Sequence, residues 1–464
     1  MIYLLPLIYG VSLAPSQGIE GHWSGTLLRE GKRMEVSFDF ARVKPGSRVP
    51  EYFCPMDPEI IRDSLDTCPK CGMDLSRRFV STKARLRGKF TCDLQQANAY
   101  PLDEVTTKGR TVHFGLGDGS LMFDGTISPK TLAGRLKVGG GSGTFTLTRS
   151  MPDPVPYRIQ EVTFKDHGIT LAGSLFLPKS GGKHAAVVLL HGSGPQLRSG
   201  TLFYIADRMA RSGVVALAFD QRGTGESVGD WRTTNYSGFS DDAVAAVRML
   251  QRRPEVDRHA IGVYGHSQGA TIAPMIAARC HDLAFIIAAD GMTRAAPEVD
   301  LYRVRNILTD SGHSAEDTDK AMAFYSLWLE LARTGKGRSG VDAALPAAKK
   351  EKWYSLVALP PADSWVWRWY PQVAGYNPLE YWRRVRVPVL VAYGELDRIS
   401  NASESVQRVE AALRSAGNMR VTAIIAPGAA HNLFIDPKPG QPFEWGRAAP
   451  GITDLFVAWV RNLP

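Results

Sequence analysis

The sequence predicts a mostly parallel, doubly wound α/β sheet with a helical cap, preceded by a small all-β domain. Three observations predict this. From residue 157 onward, apolar runs of strand length alternate with segments of helical spacing, which calls for crossover helices on both faces of a parallel sheet. Before residue 150, apolar and polar residues alternate with a period of two, as in Met34–Phe40 and Gly143–Thr148. Between the two regions lie Pro152, Pro154 and Pro156, which can continue neither a helix nor a ladder.

Residues 1–17 open with the apolar run Met1-Ile-Tyr-Leu-Leu-Pro-Leu-Ile-Tyr9. The run is too short to span a bilayer and is followed by the small residues Ser12 and Ala14, so it reads as a signal peptide and implies export. No basic residue precedes it and Pro15 would follow the cut; a first strand of the next domain has a similar texture. No later segment is apolar for the roughly 18 residues that a membrane helix needs.

Residues 18–150 read as a small barrel or sandwich whose strands are separated by Gly, Asp and Asn clusters. A cysteine-bearing segment, about 48–79, interrupts the strand pattern like a module inserted in a loop. Residues 151–156 are the linker, and 157–464 the α/β domain. In that domain Ile159–Phe164 and Thr170–Leu177 come first as strands. Then follow strand Ala185–Leu190, helix Thr201–Arg211, strand Val214–Phe219, helix Asp241–Leu250, strand Ile261–Tyr264, helix Gln268–Ala278 and strand Leu283–Ala289. Strands Val387–Tyr393 and Val421–Ala426 close the series. Residues 292–386 break the alternation, are helical and aromatic, and are too long for a loop, so they read as a cap. Aromatic residues there, such as Trp365 to Tyr370, are expected in the cap's own core.

The net charge of the 464-residue chain is +9, but Lys and Arg are scattered and no nucleic-acid motif accompanies them. A small-molecule partner is expected rather than a nucleic acid or a membrane. No feature of the sequence speaks to the oligomeric state.

The chemistry concentrates at Gly265-His-Ser-Gln-Gly269, between an expected strand and helix. A serine on such a turn stands above the sheet at a helix N-terminus, and flanking glycines relieve the crowding. Ser267 is therefore the candidate nucleophile. It needs a base, and His431 follows the last expected strand, where catalytic loops gather in open α/β sheets. Asp397, in Gly394-Glu-Leu-Asp397 after the preceding strand, is the candidate acid to orient His431, with Glu395 and Asp290 as alternatives. Two backbone amides would hold the oxyanion. One is that of Gln268; the other is that of Ser193 in His191-Gly-Ser-Gly-Pro195, with Gly192 or Gly194 as alternatives.

These motifs resemble the α/β-hydrolase superfamily throughout residues 157–464. Phe219-Asp-Gln-Arg-Gly-Thr-Gly-Glu-Ser227 resembles a structural turn of that family, in which Asp220 and Arg222 would bond backbone and each other. The chain looks most like bacterial esterases and acyl-aminoacyl-peptidase-like hydrolases with an additional N-terminal β domain. The resemblance implies a serine esterase that cleaves small carboxylic esters through an acyl-enzyme and needs no cofactor for catalysis. An exopeptidase or amidase is the alternative. A metal-binding interaction protein on a hydrolase scaffold is a third reading, which the ordered Ser, Asp and His oppose.

Five cysteines occur, three of them at Cys54, Cys68 and Cys71. Cys68-Pro-Lys-Cys71-Gly forms a knuckle that turns two thiolates to one point, and Cys54 could add a third. A small metal-free fold, or one disulfide in an oxidising compartment, is the plainer alternative. Tyr52-Phe-Cys-Pro-Met-Asp-Pro58 and Cys68-Pro-Lys-Cys-Gly-Met73 resemble the heavy-metal-binding module of bacterial efflux proteins. Where that module carries His, this chain has Asp57, which would weaken the site or serve as an oxygen ligand. Thiolates with one oxygen would suit Zn, and Met56 and Met73 would suit Cu(I). Cys92 and Cys280 are expected to be buried or incidental.

Overall fold

The computed structural model describes residues 18–46, 48–54, 60–62, 75–81, 85–117, 119–438 and 440–463. The expected signal peptide lies outside these residues, as do Asp57, Cys68 and Cys71. The chain divides into two compact units, residues 1–92 with 99–153, and residues 93–98 with 154–464.

The first unit is a nine-stranded antiparallel sheet. The strands at its two ends, Ala97–Pro101 and Glu104–Lys108, are successive segments of the chain. Leu102 N–H continues the first ladder by donating to Gly88 O, and Asp103 N–H continues the second by donating to Gly115 O. One bent strand therefore pairs on both sides and closes the sheet into a barrel among the described residues. The alternating sequence supplies the core: Phe38, Phe114, Phe123 and Phe145 point inward and are buried. Phe114 and Phe123 stack with ring centroids 4.5 Å apart, and Phe38 meets both edge-on. Arg48–Phe53, Ile61–Arg62 and Ser76–Ser81 form a separate three-stranded antiparallel sheet within the cysteine segment.

The second unit holds an eight-stranded sheet. Its strands are β1 (Tyr157–Asp166), β2 (Ile169–Pro178), β3 (His184–Leu190), β4 (Val215–Phe219), β5 (Val256–His266), β6 (Phe285–Ala289), β7 (Val389–Gly394) and β8 (Val421–Ala426). Their spatial order is β1-β2-β4-β3-β5-β6-β7-β8. β1 and β2 pair antiparallel, β2 joins β4 antiparallel, and every later pair is parallel.

Parallel strands buried on both faces should be apolar throughout, and β3 is an example. Val188 and Leu190 pack into one core, Val187 and Leu189 into the other. Helices α1 (Thr201–Arg211), α2 (Tyr236–Gln251) and α3 (Gln268–Arg279) make the first crossovers. α2 starts earlier than its apolar spacing predicts, because the Asn235 side chain accepts the Gly238 N–H and caps it there.

Between β6 and β7 come α4 (Ala296–Asp310), α5 (Ala315–Thr334), α6 (Arg338–Ala348), α7 (Val366–Val373) and α8 (Pro378–Trp382). α4 to α7 share a core of their own, in which Leu308, Phe324, Trp328, Trp353 and Tyr370 are buried, while Trp382 of α8 packs into the core of the sheet. α5 is bounded by Ser314, whose hydroxyl accepts Asp317 N–H, and by the left-handed Gly335. Helices α9 (Ala402–Ser415) and α10 (Ile452–Arg461) complete the unit.

In the turn after β4, Asp220 and Arg222 bond backbone as expected but not each other. Asp220 and Arg222 take different partners: Asp220 accepts from the Arg198 guanidinium and from the backbone of Arg198 and Glu226. Arg222 bonds Asp242 at 2.7 Å and Asp166 at 3.1 Å. Neither partner is close in sequence, so local spacing could not reveal it.

Candidate active site

The exits of β5, β7 and β8 bring three side chains together. At the end of β5 the chain turns sharply into α3, and Ser267 sits on the turn with φ 50° and ψ −110°. A side chain is strained there, and the surroundings hold it in place. Ser267 N–H donates to Ala289 O at 2.8 Å, and Thr271 bonds Ser267 O through both its N–H and its hydroxyl. The flanking glycines are sterically required. A Cβ on Gly265 would lie 2.3 Å from the Gly269 backbone, and one on Gly269 would lie 2.8 Å from His191 O.

His431 Nε2 lies 3.1 Å from Ser267 Oγ, and its Nδ1 lies 2.9 Å from Asp397 Oδ2. An ionised carboxylate only accepts, so Nδ1 carries the proton and Nε2 presents its lone pair to the serine hydroxyl. Asp397 is buried, and its other oxygen accepts the N–H groups of Ile399 and Ser400 at 2.7 and 3.0 Å. The β7 and β8 exits are packed backbone to backbone, since a Cβ on Gly394 would lie 2.1 Å from Ala430 O. Of the alternative acids, Glu395 points elsewhere and accepts Gly428 N–H at 2.8 Å. Asp290 is buried nearby and accepts Gly394 N–H.

The electrostatics single out one histidine. Burial disfavours the His431 imidazolium, but the hydrogen bond and charge of Asp397, with the charge of Asp290, outweigh it and raise its pKa above the ordinary value. Burial and the neighbouring His431 push His266 down to about 3. Burial likewise pushes His191 down to about 4, with its Nε2 facing Phe219 O. Of these three histidines, His431 is the one whose charged form the surroundings favour.

The oxyanion candidates are placed as follows. Gln268 is the first residue of α3, so its N–H has no carbonyl within the helix to bond. The His191–Gly194 loop approaches the nucleophile: a Cβ on Gly192 would lie 3.7 Å from Ser267 Cβ. Ser193 is in this loop, beside the left-handed Gly194. In the cysteine segment, Cys54 is buried and its N–H donates to Ile60 O at 3.1 Å. Cys92 is buried and Cys280 half-buried.

Sequence reasoning passed over His266, whose Nε2 lies 4.0 Å from Asp290 Oδ2 and whose ring centroid lies 5.5 Å from that of His431. Its place beside Ser267 in the turn motif was the available signal.

A doubly wound sheet with a strained serine after β5, an aspartate after β7 and a histidine after β8 defines a hydrolase of the α/β class. Residues 187–441 match the alpha/beta hydrolase family, and the chain belongs to it. Residues 51–76 match the heavy metal binding domain. The esterase EstD of Thermotoga maritima is 33% identical over 323 residues, covering 66% of this chain and 70% of the relative. The uncharacterized protein PA2218 of Pseudomonas aeruginosa is 38% identical over 109 residues, 23% of this chain and 29% of that one. Among solved structures, the Pyrococcus furiosus esterase Pf2001 has 18% identity and a TM-score of 0.43, with 68% of this chain and 93% of that chain covered. No described helix is long and apolar enough to cross a membrane.

Proposed function

We propose that the chain hydrolyses small carboxylic esters through an acyl-enzyme on Ser267. The observation that carries this reading is the hydrogen-bonded series Ser267–His431–Asp397, at 3.1 and 2.9 Å. The resemblance to an esterase at 33% identity favours esters over other acyl compounds.

In this reading Ser267 Oγ attacks the acyl carbon as His431 Nε2 takes its proton. Asp397 holds the Nδ1 tautomer and stabilises the imidazolium that forms. The amides of Gln268 and Ser193 hold the oxyanion, each lowering the barrier by about 3 kcal/mol. His431 then passes the proton to the departing alkoxide. Water repeats the sequence on the acyl-enzyme and frees the acid. No step runs through a metal. Cys54, Cys68 and Cys71, with Asp57, would hold Zn or Cu(I) in a structural or sensory role, and the thiolate-rich donor set with a buried Cys54 suits either ion.

The test is turnover of short and long p-nitrophenyl esters, beside aminoacyl anilides, by the wild type and Ser267→Ala. Ester turnover that disappears in the variant supports the reading, and chain-length preference sizes the acyl pocket. Turnover of anilides alone moves the assignment to an amidase. Ester turnover that survives the substitution removes Ser267 as nucleophile.

A further inference from the structure

Asp290 follows β6, is fully buried, and has φ +52°, a backbone conformation that disfavours side chains. Its N–H donates to Ala392 O at 2.8 Å, and its Oδ1 accepts Gly394 N–H at 3.0 Å. The carboxylate is thus locked to the end of β7, three residues before Asp397. Gly394 is pressed in turn against Ala430, so this bond also fixes the approach to His431. The second oxygen, Oδ2, has no partner at ordinary hydrogen-bond geometry among the described residues, although the Asn432 backbone also faces the carboxyl. One carboxylate oxygen from Asp290, one from Asp397 and a ring nitrogen of His431 lie within 4.8 Å of one another.

A buried carboxylate without a cation is costly. The cation within reach is the imidazolium of His431, which also forms when the ring takes up the serine proton. We propose that Asp290 is a positioning residue for His431, a second carboxylate that braces the β7 exit through Gly394 and stabilises the imidazolium as it forms. The proposal rests on the reading of Ser267 and His431 as nucleophile and base. The proton still travels from Ser267 Oγ to His431 Nε2 and on to the leaving group; no bond to Asp290 forms or breaks.

The groups facing this pair come from every neighbouring strand. β5 contributes Tyr264, His266 and Ser267, β7 contributes Tyr393 and Asp397, and β8 leads to His431 and Asn432. Burial raises both phenols and lowers His266, so these three are neutral near pH 7. The charge is left to Asp290, Asp397 and His431. Burial also pushes Asp290 up to about 7, against the pull of His431, so the two titrate as a coupled pair.

Asp290→Asn separates the two roles. The amide oxygen still accepts Gly394 N–H, while the charge is gone; Asp290→Ala removes both. The His431 ring is titrated by ¹H–¹⁵N NMR in the full chain, and kcat and KM are followed against pH. Asp290→Asn is expected to lower the His431 titration by about one unit. The acid limb of the rate profile should move down with it, and plateau kcat should fall roughly tenfold with KM nearly unchanged. Asp397→Asn should keep roughly ten times the rate of the Asp290→Asn/Asp397→Asn double variant, because one carboxylate still faces the ring. The proposal is overturned by a His431 titration that Asp290→Asn leaves in place, or by equal rates in Asp397→Asn and the double variant. Ester turnover by Ser267→Ala would sink the esterase reading alone, and the ring titration would still decide the role of Asp290.

Discussion

Both units set a histidine between two carboxylates, and they use it differently. In the barrel unit, His113 is held by Asp124 at 2.7 Å on Nδ1 and by Glu104 at 3.1 Å on Nε2. Both nitrogens are occupied and the cluster is largely open to water. In the hydrolase unit, Asp397 takes only Nδ1 of His431 and leaves Nε2 to Ser267. Each histidine is raised above the ordinary imidazole value. The flanking carboxylates therefore do not distinguish the two. The distinction is a ring nitrogen left facing the Ser267 hydroxyl, in a place that is largely buried.

The wider surroundings follow the same division. The barrel fills its interior with apolar side chains, Phe38, Phe114, Phe123 and Phe145 among them. The hydrolase unit buries Asp397 and Asp290 at the C-terminal edge of its sheet, and Arg222 with Asp242 beside α2.

Substitutions can break or sharpen this contrast. The largest effect is expected at His431: under the proposed mechanism, His431→Ala should cost about 10⁶ in kcat toward p-nitrophenyl esters. His113→Ala should leave that rate unchanged. Equal losses in the two variants would erase the difference drawn here. Next come the two kinds of interior. Phe123→Ala should destabilise the barrel by about 3–5 kcal/mol through the cavity it leaves, read from denaturant unfolding. Arg222→Met should cost the hydrolase unit about 3–5 kcal/mol, because Asp242 is left buried without its cation. A near-neutral result at Arg222 would mean that water enters to replace it.

The smallest effect belongs to His113. Its pKa is raised on folding, chiefly by the Asp124 hydrogen bond, so its contribution is complete below the ordinary imidazole value and fades as pH rises through the folded one. Exposed pairs of this kind are worth about 0.2–1 kcal/mol. His113→Gln should flatten the slope of stability against pH between about 6 and 8 by no more than that.

What the sequence disclosed follows the range of the forces involved. Ser267, Asp397 and His431 were readable because each stands on a turn just after an apolar strand, and short-range chemistry marks such turns. Burial of β3, β4, β6 and β7 was readable for the same reason, since their composition is uninterrupted. Closure of the barrel was not, because it depends on how one strand bends at Leu102 and Asp103 to pair on two sides. Nor were Arg198, Asp166 and Asp242, the distant partners of Asp220 and Arg222. Asp290 was visible as an acid after a strand. Its alliance with Gly394 appears only once three strand exits converge.

The separate core of α4–α7 has a consequence for how this enzyme could diverge. The helices leave the sheet after β6 and rejoin it at β7, and these neighbouring strands run parallel. A parallel pair needs a crossover of only about a dozen residues. Everything between residues 290 and 388 beyond that minimum is surplus to the topology. Because α4 to α7 largely satisfy one another, that part of the block can be lengthened, shortened or exchanged in descent while α8 and the strand exits stay in register. Substrate preference can then drift quickly on a catalytic floor that hardly changes.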